Sequence, residues 1–83
     1  MKSEVETEIQ DWLVSYLSEL LEIDPEQIDI NDSFASYGLD SSAAVGMVGD
    51  LSNWLARNLD AELIYRHPTI DNLARYLATR ADR

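Results

Sequence analysis

The sequence predicts an all-α bundle, and three observations carry that expectation. Apolar residues recur at spacings of three and four along separate stretches, as they do on one face of a helix. Three glycines and two prolines leave those stretches long and uninterrupted. The 46% apolar content is ordinary for a globular domain, while the absence of cysteine removes disulfides and thiolate metal sites as supports. A chain of 83 residues makes one domain that buries only about 60% of its unfolded surface. Residues 1–83 are expected to form it, with a core over about residues 4–80.

The first helix is expected over about residues 4–22. Ser3-Glu4-Val5-Glu6 fits a capping box. Val5, Ile9, Trp12, Leu13, Tyr16, Leu17, Leu20 and Leu21 then form one apolar stripe, with Glu4, Glu8, Asp11, Ser15, Ser18, Glu19 and Glu22 on the other faces. Asp24-Pro25 should end it, because a residue before proline is pushed out of helical geometry.

Residues 23–40 form a connection too long to be featureless in a small domain. Ile23, Ile28, Ile30, Phe34, Tyr37 and Leu39 should pin it to the bundle, with a helical turn at Pro25-Glu26-Gln27-Ile28. Asp24, Glu26, Asp29 and Asp32 lack the spacing and central glycine of an EF-hand loop, so no metal is expected there.

A second helix should run from Ser41 or Ser42 to about Arg57. Its core stripe is Ala44, Met47, Val48, Leu51 and Leu55. Gly46 and Gly49 each cost about 1 kcal/mol against alanine in a helix interior. They lie away from Leu51, on a side shared with Ser42, Val45 and Asn53. Two readings are open: a smooth face for a partner, or a packing requirement inside the domain. Trp54, at the edge of the stripe, reads as packing. Asn58-Leu59-Asp60 should break the helix. Ala61-Glu62-Leu63-Ile64-Tyr65 is a one-turn helix or an extended piece. Thr69 then caps a last helix with the stripe Ile70, Leu73, Ala74 and Leu77, and Arg75, Arg80 and Arg83 lean toward its C-terminal end.

The net charge of −10 sits entirely in one half of the chain: residues 1–40 hold eleven carboxylates and only Lys2, while residues 41–83 balance. Such acidity argues against nucleic acid, whose phosphates would be repelled, and permits steering toward basic partner surfaces. No apolar run approaches the roughly 20 residues of a membrane span, and Met1-Lys2-Ser3-Glu4 does not read as a secretion signal. A cytoplasmic protein is expected.

Catalysis is not. The one histidine, His67, precedes a proline, and no nucleophile with an oriented base is apparent. There is no glycine-rich phosphate loop, and a bundle this small offers little room for a deep substrate pocket. Attention falls instead on Gly38-Leu39-Asp40-Ser41-Ser42. Asp and Ser before an apolar run are helix caps in the ordinary case. The same place gathers positive partial charge and free donors, which suits a phosphate carried on a serine.

Tyr37-Gly38-Leu39-Asp40-Ser41-Ser42 resembles the Gly-x-Asp-Ser-Leu attachment motif of acyl carrier proteins, the phosphopantetheine-binding carriers. The Pro25–Ile28 turn, Phe34, Tyr65-Arg66-His67-Pro68-Thr69-Ile70 and Leu73-Ala74-Arg75-Tyr76-Leu77 follow the family's order and spacing, so the resemblance covers about residues 8–78. It implies a right-handed four-helix bundle of three main helices and a short helix 3. It also implies that a phosphopantetheinyl transferase moves 4′-phosphopantetheine from coenzyme A to Ser41, with Asp40 as the motif residue at the helix start. Ser42 departs from the family's usual leucine.

Acyl groups would ride on the arm as thioesters, delivered by an acyl-activating enzyme and used by a ketosynthase or other assembly-line enzymes. Helix 2 carries only Asp50, whereas carriers of bacterial fatty-acid synthesis resemble one another in a strongly acidic helix 2. This chain looks more like carriers of polyketide or mixed polyketide–peptide assembly lines. Its Asp40–Val45 run is similar to carriers loaded by fatty acyl-AMP ligases. Ser42, Val45, Gly46, Gly49 and Asn53 are the expected partner-binding residues, on a monomer. A peptidyl carrier is the alternative within the class. An unmodified acidic helical interaction module is the alternative outside it.

Overall fold

A computed structural model describes residues 3–81, so Met1, Lys2, Asp82 and Arg83 lie outside the described residues, as do the side chains of Arg80 and Ala81. Four helices follow one another: α1 (Glu4–Leu21), α2 (Ser41–Leu55), α3 (Leu63–Arg66) and α4 (Ile70–Ala81). Two 3₁₀ turns, Pro25–Gln27 and Phe34–Tyr37, shape the long connection between α1 and α2. Among the described residues, no helix is long and apolar enough to cross a membrane.

α1 begins as its sequence requires, with the Ser3 hydroxyl accepting from the Glu6 amide at 3.1 Å. Its C-terminal end is set one residue earlier than expected and by a different device. Glu22 takes the left-handed conformation (φ 57°), and the amides of Glu22 and Ile23 both return to the Ser18 carbonyl. The Ser18 hydroxyl donates to the Ile23 carbonyl at 2.6 Å. The turn is therefore closed before Asp24-Pro25 is reached. α2 stops at Leu55, two residues short of the expected Arg57, because Ala56 also turns left-handed (φ 54°).

The core is drawn from every helix. Ile9, Leu13 and Leu17 of α1 face Met47, Val48 and Leu51 of α2, Ile64 of α3, and Ile70, Leu73, Ala74 and Leu77 of α4, joined by Ile28 and Phe34 from the connection. α1 packs most extensively on α4. The undecided stretch before Pro68 is the one-turn helix α3. Thr69 caps α4 as expected, its hydroxyl accepting from the Asn72 amide at 3.0 Å.

One aliphatic and one aromatic side chain depart from the stripe reading. Leu20 has a core azimuth but is 46% exposed, because in the last turn of α1 an open cleft of about 260 Å³ lies beside it, lined by Tyr16, Glu19 and Leu20. Trp54 is 45% exposed and stacks on Trp12, with ring centroids 5.5 Å apart.

A left-handed alanine costs roughly 1 kcal/mol that glycine does not incur. Since Ala56 is exposed, Ala56→Gly is expected to raise stability by about 1 kcal/mol in urea unfolding. Leu17→Ala, at a fully buried position, is expected to lower it by about 3 kcal/mol.

Candidate functional site

The site is built by the connection that precedes α2. Ile28 and Phe34 are buried and hold it to the core. Backbone bonds then fasten it to the α3–α4 corner: the Phe34 amide donates to the Pro68 carbonyl at 2.8 Å, and the Asp71 amide to the Ile30 carbonyl at 3.0 Å. Ser33 and Thr69 form an isolated antiparallel bridge between these strips of chain. The Tyr37 hydroxyl adds a tie of its own, accepting from the Asp29 amide at 2.6 Å and donating to the Asp29 carbonyl at 2.8 Å.

Gly38 ends the second 3₁₀ turn at φ 78°. A Cβ there would meet nothing within 4 Å, so its need for glycine is torsional rather than steric. The chain then enters α2 through Asp40, whose Oδ1 accepts from the Ala43 amide at 2.8 Å while its carbonyl accepts from the Ala44 amide at 2.9 Å. Asp40 is thus the N-cap. Ser41 is the first helical residue, and Ser41 and Ser42 are both exposed. As first-turn residues, their amides have no partner inside the helix. An exposed hydroxyl at this end can bear a phosphodiester beside favourable dipoles.

Next to Asp40 opens a cleft of about 150 Å³ with an apolar lining that includes Phe34, Leu39, Ala44, Ile64, Tyr65 and Pro68. The arrangement can hold a flexible group on Ser41 with an apolar surface beside its root. No residue is posed as a base against the serine hydroxyl among the described contacts.

A phosphopantetheine attachment-site family model matches residues 11–77. The chain belongs to that family. It is a carrier and not an enzyme, and its cofactor is 4′-phosphopantetheine. The carrier is 37% identical over 73 residues to the acyl carrier protein TtuC of Teredinibacter turnerae, covering 88% of this chain and 84% of that one. It is equally identical, over 73 residues, to one component of the phenolphthiocerol/phthiocerol polyketide synthase of Mycobacterium tuberculosis, covering 88% of this chain and only 4% of that one. Its fold superposes on a free-standing peptidyl carrier protein from Acinetobacter baumannii with a TM-score of 0.87 and 30% identity, covering 95% of this chain and 99% of that one.

Val45, Gly46, Gly49 and Asn53 are exposed on α2, as is Ser42 at its start. A Cβ on Gly49 would meet open space, and one on Gly46 only the Tyr16 hydroxyl at 4.0 Å. Packing inside the carrier therefore requires neither glycine. The apolar cleft at Asp40 was not legible in the sequence, because residues 64–68 close it against the distant stretch 33–44. Tyr37 stood out only as an apolar anchor, and its hydroxyl bonds needed the fold.

The Tyr16 hydroxyl donates to Asp50 Oδ2 at 2.9 Å. Partial burial, and then the hydrogen bond to Asp50 and its charge, raise the Tyr16 pKa above the usual phenol value. Because the folded pKa lies above the unfolded one, this contribution to stability is complete below the phenol range and is lost as pH climbs past about 10. Asp50→Asn is expected to let Tyr16 ionise at lower pH in an absorbance titration. Asp40→Ala is expected to cost about 1 kcal/mol in thermal unfolding, the usual loss for a helix cap.

Proposed function

We propose that Ser41 carries the phosphopantetheine arm and that the carrier shuttles thioester-bound acyl intermediates between enzymes of polyketide or lipid-modified natural-product biosynthesis. The observation that supports Ser41 most is its position: an exposed hydroxyl on the first residue of α2, directly after the Asp40 cap and beside the apolar cleft. When bound, the cofactor supplies a terminal thiol for thioester chemistry. The chain supplies the helix terminus that favours its phosphate and a rigid root for the arm. The tether acts by raising the local concentration of the cargo at each active site in turn.

The residues of the chain act as one carrier domain, in the cytoplasm, where coenzyme A is the donor of the arm. Its partners are a phosphopantetheinyl transferase, an acyl-activating enzyme such as a fatty acyl-AMP ligase, and a ketosynthase or another assembly-line enzyme. Ser42, Val45, Gly46, Gly49 and Asn53 form the docking face. Support comes from the exposure of all five and from the freedom of both glycines from internal packing. The polyketide setting draws on the mycobacterial synthase, and the similarity to a peptidyl carrier keeps aminoacyl cargo as the second reading.

Intact mass after incubation with coenzyme A, magnesium and a promiscuous phosphopantetheinyl transferase tests the site. The wild-type chain is expected to gain one phosphopantetheine, and Ser41→Ala none; modification of that variant would transfer the assignment to Ser42. With α2 carrying Asp50 alone, loading of the holo carrier is expected to depend weakly on salt. Strong inhibition by salt would contradict docking through apolar and backbone contacts. Side-by-side loading by acyl-activating and amino-acid-activating enzymes separates the two cargo classes.

A further inference from the structure

Leu20 and Trp54 are large apolar side chains left nearly half exposed on neighbouring helices. They are the ends of one connected feature. Tyr16 stacks on Trp12 at 5.1 Å, Trp12 stacks on Trp54 at 5.5 Å, and Tyr16 shares the open cleft of about 260 Å³ with Leu20 and Glu19. The Tyr16 hydroxyl is held by Asp50 and reaches toward Gly46, so this ridge borders the glycine-bearing side of α2.

The rim is acidic. Glu19 lines the cleft, and Asp50 accepts from the Tyr16 hydroxyl. An aromatic ridge with carboxylates beside it favours guanidinium groups, which lie flat on aromatic faces and pair with carboxylates. It disfavours anionic lipid, which the same charge repels.

We propose that the α1–α2 edge of this carrier is a docking surface for an amphipathic, arginine-bearing segment of a partner enzyme, with an apolar side chain of that segment seated on Leu20 and Tyr16. The inference rests on the carrier reading for the nature of its partner. The surface would engage a partner beside the α2 face while leaving the Asp40–Ser41 end accessible.

Both tryptophans of the chain lie in the ridge, so their fluorescence reports on it directly. The probe is a synthetic amphipathic helix of leucine and arginine, titrated into the full chain and into Leu20→Ser and Trp54→Ala. A charge-matched peptide with serine in place of leucine serves as control. Binding with a change in tryptophan emission is expected, weakened about tenfold or more in each variant and about as much for the control peptide. Equal affinity across both variants would mean attraction by charge alone and would overturn the proposal. So would quenching by self-association without peptide, or tighter association with phosphatidylglycerol vesicles than with the peptide. Circular dichroism monitors the fold, and the exposed Leu20 keeps one variant usable should Trp54→Ala unfold. Phosphopantetheinylation of the same samples, read by mass, reports separately on the carrier reading.

Discussion

The pair of backbone bonds that fastens the α1–α2 connection to the α3–α4 corner is the constraint on which the site depends. With Phe34 buried beneath it, the amide of that residue is satisfied by Pro68, and Ile30 accepts from Asp71. Buried backbone groups need partners, so a connection that dives into the core had to be paired with another strip of chain. The pairing has a consequence for function. It brings α3 against the entrance of α2, and the cleft beside Asp40 exists only because Ile64, Tyr65 and Pro68 face Phe34 and Leu39 there.

The division of labour between rigidity and mobility follows from this. A carrier holds its cargo on an arm, and the protein contributes the fixed root from which the arm swings. Asp40 secures the first turn of α2, Gly38 permits the turn that precedes it, and Tyr37 ties the approach to Asp29 through both of its backbone groups. These are local devices. Each contributes about a kilocalorie per mole, and together they hold Ser41 at the surface of a domain too small to bury an active site.

The glycines of α2 set helix propensity apart from packing. Gly46 and Gly49 weaken the helix, and nothing inside the fold occupies the space their missing side chains leave. The chain tolerates that loss because the core stripe on the opposite side of α2 is continuous from Ala44 to Leu51. A face kept smooth against helix propensity, next to an exposed aromatic ridge, is surface composition that packing within the domain does not explain.

The three main helices, the caps at Ser3, Asp40 and Thr69, the anchoring role of Ile28 and Phe34, and the family itself were legible in the sequence alone. These depend on residues close together along the chain, where hydrogen-bond geometry and helical periodicity operate. The resemblance added the short third helix, which periodicity could not distinguish from an extended piece. The left-handed endings at Glu22 and Ala56 left no mark in the sequence, because neither residue type favours that conformation. Leu20 fits its helical stripe and Trp54 stands at the edge of its own, yet both are nearly half exposed, since periodicity defines the direction of a side chain and not whether another element lies opposite. The ring stack across α1 and α2, the cleft beside Asp40 and the freedom of the two glycines were decided by tertiary structure, because each is a relation between segments that only the packed chain brings together.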